Sequence, residues 1–243
     1  MNPATNVKPY STDKSKKEEV AEMFDNISPR YDFLNRFLSM GVDIGWRKKT
    51  VKAVAQSKPQ RILDVATGTA DLAIELTKTG AKEIIGCDIS EGMLSIGKEK
   101  IKKKELDNVI RLQSGDSEQL PFEDNSFDAV TVAFGVRNFQ TPVKGLTEIN
   151  RVLKKGSKIY VLEFSEPEKF PVKQFYSFYF KYILPFWGRL ISKDNAAYTY
   201  LPNSVKAFPH GEAFLQLLTA SGFHKNSAKK LSFGIASLYI GEK

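Results

Sequence analysis

The chain has 243 residues, 42% hydrophobic and 26% charged, ordinary proportions for a globular protein of one large domain or one domain with an elaborated cap. Its formal net charge of +8 lies largely in lysine runs (Lys14, Lys16, Lys17; Lys98, Lys100, Lys102, Lys103, Lys104) that read first as a solvated helix face and a frayed tail and second as attraction to anionic lipid or nucleic acid, and their lack of interleaved aromatics argues against a nucleic-acid surface. The single cysteine, Cys87, excludes an intrachain disulfide and points to a reducing compartment; no apolar run is long enough for a membrane span, and no signal peptide or metal site is expected.

In chain order, residues 1–16 are polar and expected to form a disordered tail. Val20, Met23, Phe24 and Ile27 recur at helical spacing until Pro29. A second helix is expected from Tyr31 to Met40, stopped by Gly41, and a third from Trp46 to Ala55, before Pro59. Strands are expected near 61–66, 83–88, 109–113, 127–133 and 158–164. Helices fall between them, near 71–79, 90–104 and 141–153, the last stopped by Gly156. This alternation predicts an α/β fold with a doubly wound, mostly parallel sheet. After Glu163 the pattern changes: 170–187 holds Phe170, Phe175, Tyr176, Phe178, Tyr179, Phe180, Tyr182, Phe186 and Trp187, with Pro185 and Gly188 interrupting. A closing helix near 211–220 and strands near 223–229 and 234–241 complete seven strands. No internal repeat or interdomain linker is evident. The expected organisation is one domain over 17–243: N-terminal helices forming a lid (17–58), a ligand-binding core (59–165), an aromatic-rich helical insertion (166–210) and a C-terminal helix with strands (211–243).

The core carries the chemistry. Ile62 to Asp71 read ILDVATGTAD, and the next apolar run ends at Asp88. A buried strand, a tight turn at Gly68 and a second strand ending in a carboxylate form the nucleoside half of such a sheet, Asp88 taking two ribose hydroxyls. With one glycine, the loop is not the fingerprint that lets a pyrophosphate touch the backbone, and Asp64 and Asp71 would repel a phosphate. An adenosine ligand with a cationic group fits better, S-adenosylmethionine being the common one. On the loop alone, a plain strand–turn–helix with a capping Asp reads equally well. The third strand runs into LQSGDSEQLPF, which puts Asp116 and Ser117 where a carboxylate can take the adenine amino group and a hydroxyl or N–H a ring nitrogen. An Asp-Ser turn is the simpler alternative.

Together, Asp64, Asp88 and Asp116 after successive strands resemble the class I S-adenosylmethionine-dependent methyltransferases over Arg61 to Phe164. After the fourth strand comes AFGVRNF (Ala133 to Phe139), placing Arg137 and Asn138 at the catalytic edge; the Pro-Pro-aromatic motif of many amino-group methyltransferases is absent. With MFDNISPRYDFLNRFLSMGVDIGWR (23–47), RVLKKGSKIYVLEFS (151–165), YLPNSVKAFP (200–209) and LSFGIASLYIG, the chain resembles the ubiquinone/menaquinone biosynthesis C-methyltransferase (UbiE) family from Met23 to Gly241. It departs at Leu34 (usually Met), Asp43 (usually His), Lys155-Gly156-Ser157 (usually Pro-Gly-Gly) and Ala133 (commonly a hydroxyl residue).

The resemblance implies C-methylation of a demethylated isoprenoid quinol, 2-demethylmenaquinol foremost, with a ubiquinone-type benzoquinol as the alternative. It implies cofactor contacts from Asp64, Gly68, Thr69, Asp88, Asp116 and Ser117. Arg137 and Asn138 would face the methyl donor and stabilise a phenolate, Arg137 as a fixed cation because guanidinium does not deprotonate. No general base is evident: His210 reads as a cap and His224 as a surface residue. The aromatic run, with Lys173, Lys181 and Arg189, reads either as core packing or as a wall for a lipid tail or an anionic membrane surface. The implied location is cytoplasmic, with peripheral contact at the inner face of the membrane. An RNA or protein methyltransferase and a non-catalytic adenosine- or membrane-binding module remain the rival readings, with a nicotinamide oxidoreductase behind them.

Overall fold

The computed structural model describes residues 7–183 and 195–243, so the expectations for Pro185, Phe186, Trp187, Gly188 and Arg189 lie outside the described residues. Strands β1 (Arg61–Val65), β2 (Glu83–Asp88), β3 (Ile110–Ser114), β4 (Phe127–Ala133), β5 (Leu153–Phe164), β6 (His224–Leu231) and β7 (Ala236–Glu242) form one seven-stranded sheet in the order β3-β2-β1-β4-β5-β7-β6. Pairing is parallel from β3 to β5, and β7 inserts antiparallel between β5 and β6. The helices are α1 (Lys16–Leu38), α2 (Val42–Ala55), α3 (Asp71–Leu76), α4 (Glu91–Lys103), α5 (Pro142–Val152), α6 (Val172–Phe178), α7 (Asn195–Ala207) and α8 (Glu212–Ala220).

Successive strand residues point to opposite faces, so each central strand feeds two cores. Leu63, Val65, Val130 and Val132 pack on one face with Leu146 and Ile149 of α5 and Phe214 and Leu218 of α8. Ile62, Ile84 and Ala129 pack on the other with Trp46 and Val54 of α2, Leu72 of α3 and Ile101 of α4. The strand order reverses between β1 and β4, and the crevice this leaves at their carboxyl ends is where such sheets bind ligands.

Three expectations are corrected. Pro29 does not end a helix: α1 runs through it. Proline removes the N–H that would reach the Asp25 carbonyl, and the Ser28 hydroxyl donates to that carbonyl instead, at 2.9 Å. Residues 7–15 are not a free tail; backbone N–H groups of Tyr10, Ser11 and Thr12 wrap the buried Glu19 carboxylate at 2.7–3.0 Å. Finally, α5 stops at Val152 and passes directly into β5, with Gly156 (φ +75°) inside the strand rather than ending the helix.

Helix α1 lies across the carboxyl edge of the sheet and ties to three loops. Lys17 pairs with Asp116 after β3 (2.9 Å). Asp25 accepts from Ser90 Oγ (2.6 Å) and Gly92 N (2.9 Å) after β2. Asp32 accepts from Thr69 Oγ1 after β1 (2.6 Å) and pairs with Lys100 (2.9 Å). Its apolar stripe meets α7 in a third cluster of Val20, Met23, Leu34, Ala197 and Tyr200. The helix is therefore a lid over the crevice.

Candidate active site

Under this lid the sheet edge encloses a cleft of about 720 Å³, its open mouth included, lined by residues that follow β1, β2, β3 and β4 together with Lys17, Val20, Phe24 and Tyr31 of α1. The floor is built by the turn after β1. Gly68 adopts φ +57° and its N–H donates to Asp88 Oδ2 at 2.7 Å, while Ser90 N–H donates to Oδ1 at 2.9 Å. Asp88 is thus fixed by backbone donors, and each oxygen keeps a lone-pair direction for a further donor such as a ribose hydroxyl. Burial raises its pKa against the pull of the N–H groups of Ser90, Gly68 and Ile89.

Asp116 lies on the neighbouring loop, after β3, the strand that pairs with β2. Its Oδ1 accepts Glu118 N–H at 2.9 Å, and its Oδ2 takes the Lys17 ammonium. Burial would raise its pKa, but the Lys17 hydrogen bond and the Glu118 N–H outweigh that and hold it below the usual range. Ser117 lines the cleft beside it, and Ile89 and Met93 supply apolar wall. Cys87 also lines the cleft, and burial pushes its thiol up to about 12, so it is neither thiolate nor nucleophile at neutral pH. Two carboxylates on neighbouring loops, apolar wall in the same cleft and no phosphate cradle suit a nucleoside whose far end is cationic.

Two expected cofactor residues are placed differently. Thr69 is buried with its hydroxyl committed to Asp32 and Lys100, so it clamps the lid. Asp64 sits beneath the turn, accepting the hydroxyls of Thr131 (2.6 Å) and Thr67 (2.7 Å). Burial pushes its pKa up to about 6 against those two bonds. A raised carboxylate pKa means that the folded state holds the proton more tightly than the unfolded chain, so stability falls as pH rises from about 4 to about 6. Asp64→Asn should therefore raise stability at pH 7.5 by on the order of 2–3 kcal/mol, seen as a higher melting midpoint, and change it little at pH 4. Thermal unfolding at both values checks this; an equal shift at each would refute it.

The other end of the cleft is the turn Val136–Asn138 after β4. Gly135 lets this segment lie against the β1 turn, since a Cβ there would come within 2.5 Å of Ala66 Cβ. Asn138 lines the cleft, its Oδ1 accepting the Tyr200 hydroxyl at 3.0 Å. Arg137 does not line it. Its Nη1 donates to Glu163 Oε1 (2.7 Å) and to the Phe134 carbonyl (2.5 Å), and its guanidinium lies over the Phe164 ring. The expectation that Arg137 faces the methyl donor is corrected: register places Glu163 of β5 under the turn, and a buried cation goes to a buried anion. Glu163, Tyr31, Tyr200 and the lid lysines were missed in sequence; only the helical stripe through Val20 and Phe24 signalled the lid. Neither histidine lines the cleft.

Comparison with known proteins gives a consistent picture. A family model described as the ubiE/COQ5 methyltransferase family matches residues 12–243. The chain is 47% identical to a demethylmenaquinone methyltransferase of Bacteroides fragilis over 99% of both chains. It is 45% identical to the ubiquinone/menaquinone biosynthesis C-methyltransferase UbiE of Geobacter sulfurreducens over 94% of this chain and 90% of the other. Among solved structures, a SAM-dependent methyltransferase of Thermotoga maritima, a possible histamine N-methyltransferase, superposes with a TM-score of 0.65 at 20% identity, covering 92% of this chain and 99% of that one, which speaks to fold alone.

Proposed function

We propose, from the premise that the chain belongs to the ubiE/COQ5 methyltransferase family, that it transfers a methyl group from S-adenosylmethionine to a ring carbon of 2-demethylmenaquinol: the carbon–carbon bond forms as the sulfur–methyl bond breaks, and the ring proton is then released, giving menaquinol, S-adenosylhomocysteine and a proton. The observation that carries the reading is the cleft itself, with Asp88 and Asp116 at the donor end and Asn138 at the other, under one helical lid. Asp88 takes the ribose hydroxyls, Asp116 the adenine amino group, and Gly68 and Ser117 frame the nucleoside. Asp64 and Thr69 act one layer back, on the turn and the lid. Bound there, S-adenosylmethionine supplies an electrophilic methyl group on a sulfonium.

The ring carbon must be electron-rich, so the acceptor is the quinol ionised to its phenolate, not the quinone. Ionising a phenol of pKa near 10 at pH 7 costs about 4 kcal/mol. Donors preorganised at the developing charge contribute roughly 3–4 kcal/mol each. Asn138 lines that end of the cleft, and its amide, beyond a long bond to the Phe134 carbonyl (3.4 Å), keeps an N–H to offer the phenolate oxygen, with Arg137 behind it as a fixed cation paired with Glu163. Aligning ring carbon, methyl and sulfur provides much of the remaining rate.

The isoprenoid tail needs an apolar path. Phe170, Phe175, Phe178, Tyr182 and, at 85% exposure, Phe233 stand out from the surface beside the exposed Lys169, Lys173 and Lys181. Phe233 tips the β6–β7 hairpin, and Gly234 behind it packs near Pro167, close to the start of α6. No helix among the described residues is long and apolar enough to cross a membrane. We read the patch as a peripheral contact with anionic lipid, from which the substrate is drawn. Replacing Phe175 and Phe233 together by Ser should weaken co-sedimentation with phosphatidylglycerol vesicles about tenfold or more while sparing cofactor affinity; unchanged sedimentation would refute the contact.

Substrate class is tested by incubating the enzyme and labelled donor with a reduced demethylnaphthoquinol, a reduced benzoquinol precursor or bulk RNA. Label in the naphthoquinol is expected. Label in RNA and not in either quinol would overturn the reading.

A further inference from the structure

Neighbouring residues at the start of the lid reach both halves of the cleft. Lys17 binds the donor-end carboxylate Asp116, while the Lys16 side chain turns inward, 3% exposed, and its Nζ donates to the Arg137 carbonyl at 2.9 Å. That carbonyl belongs to the peptide joining Arg137 to Asn138. The other polar group of the same peptide, Asn138 N–H, donates to Gly135 O at 2.9 Å. The plane is therefore held at both ends, once from its own turn and once from the lid. Rotating that plane would move Asn138 out of the cleft and swing Arg137 against Glu163. Lys17 N–H also reaches Gln140 Oε1 at 3.4 Å, so the helix start touches this loop twice.

Burying an ammonium at such a place is costly unless it does something specific. Nothing in cofactor binding by Asp88 or Asp116 uses Lys16. Its hydrogen bond is made across 121 positions of sequence, so it exists only when the lid is down.

We infer that Lys16 is a positioning residue for methyl transfer: its ammonium locks the Arg137–Asn138 peptide when α1 closes, so that the acceptor end of the cleft is completed by the lid. The inference rests on the reading of Asn138 as the acceptor-side donor. Charge matters as well as reach, because a hydrogen bond from an ammonium is roughly twice as strong as one from a neutral amine. Burial, and then the neighbouring Arg137 cation, bring the pKa of Lys16 down to about 8, with Glu118 pulling the other way. As pH rises through about 8 the lock loses its charge, and turnover should decline there. Burial pushes the Cys87 thiol up to about 12 and moves the tyrosines Tyr31 and Tyr200 above their usual range, so neither group supplies that limb. Stability moves the opposite way: a depressed lysine pKa means the unfolded chain binds the extra proton between about 8 and 10.5, so this group's contribution rises with pH in that interval.

The test uses the full chain with Lys16→Met, Lys16→Gln and Asn138→Ala, measuring cofactor affinity by calorimetry and kcat and KM for the quinol across pH 6.5–9.5. Lys16→Met should lower kcat about 10- to 100-fold, leave cofactor affinity within about twofold and abolish the alkaline decline. Lys16→Gln, which keeps an N–H donor without the charge, should recover part of kcat and lack the decline. A Lys16→Met enzyme with unchanged kcat, or one that keeps the decline near pH 8, overturns the inference provided Asn138→Ala is impaired. An unimpaired Asn138→Ala instead overturns the reading of the acceptor end.

Discussion

Glu163→Ala is expected to destabilise the protein by about 3–5 kcal/mol, the largest loss from any single site-proximal substitution. Glu163 is 1% exposed and Arg137 8%, and their side chains meet at 2.7 Å. Glu163 Oε1 also accepts Phe164 N–H at 2.9 Å, and Oε2 accepts Arg137 N–H at 3.4 Å. The carboxylate therefore neutralises the cation and pins both the end of β5 and the start of the turn. Truncating it strands a guanidinium whose Nε–H is already without a partner among the described residues. Because a chain of this size shifts by roughly 2–4 °C per kcal/mol, the melting midpoint should drop by roughly 10 °C. Glu163→Gln keeps an acceptor for Arg137 and should lose less stability, yet still lower turnover because the turn is no longer held by charge. Denaturant unfolding of both variants beside kcat checks the ranking. A Glu163→Ala protein of native stability would show that the pair is dispensable to the fold.

The second large effect is on binding. Asp88→Asn should raise the cofactor dissociation constant about 10- to 150-fold, from the loss of one hydrogen bond to a charged acceptor at roughly 1.5–3 kcal/mol. The substitution is nearly isosteric but not neutral. Both oxygens of Asp88 face backbone donors, Gly68 N–H and Ser90 N–H. An asparagine must turn its NH2 toward one of them, donor against donor, and it offers one fewer acceptor to the ribose. Calorimetric titration with S-adenosylhomocysteine gives the number. Affinity within threefold of wild type would remove Asp88 from the cofactor site.

Where the chain buries whole apolar runs, the fold was readable. The runs EIIGCD and FDAVTVA lie between turn residues, and β2 and β4 begin and end where their patterns do. Asp88 and Asp116 line the cleft, and their places, at the end of β2 and just after β3, follow from the strand pattern. The lid was less readable. Pro29 is a valid stop signal, overridden because Ser28 replaces the hydrogen bond that proline removes, a compensation decided by one rotamer. Arg137 was correctly placed after β4 but wrongly aimed, because its partner Glu163 is brought beneath it only by the β4–β5 register, Ala133 against Leu162. Thr69 failed similarly: its place on the loop was legible, while its commitment to Asp32 on α1 is purely tertiary. Long-range polar pairs carry no local periodicity, so pattern cannot report them.

The claim on which the whole account depends is that the acceptor is an ionised quinol and the new bond is to carbon. The most direct measurement is an anaerobic incubation with carbon-13-labelled methyl donor and a short-tailed demethylnaphthoquinone, supplied fully reduced or fully oxidised, with the product resolved by NMR. A labelled methyl group on the ring carbon is expected from the reduced form alone. Equal labelling from the oxidised form, or label on oxygen, would contradict it.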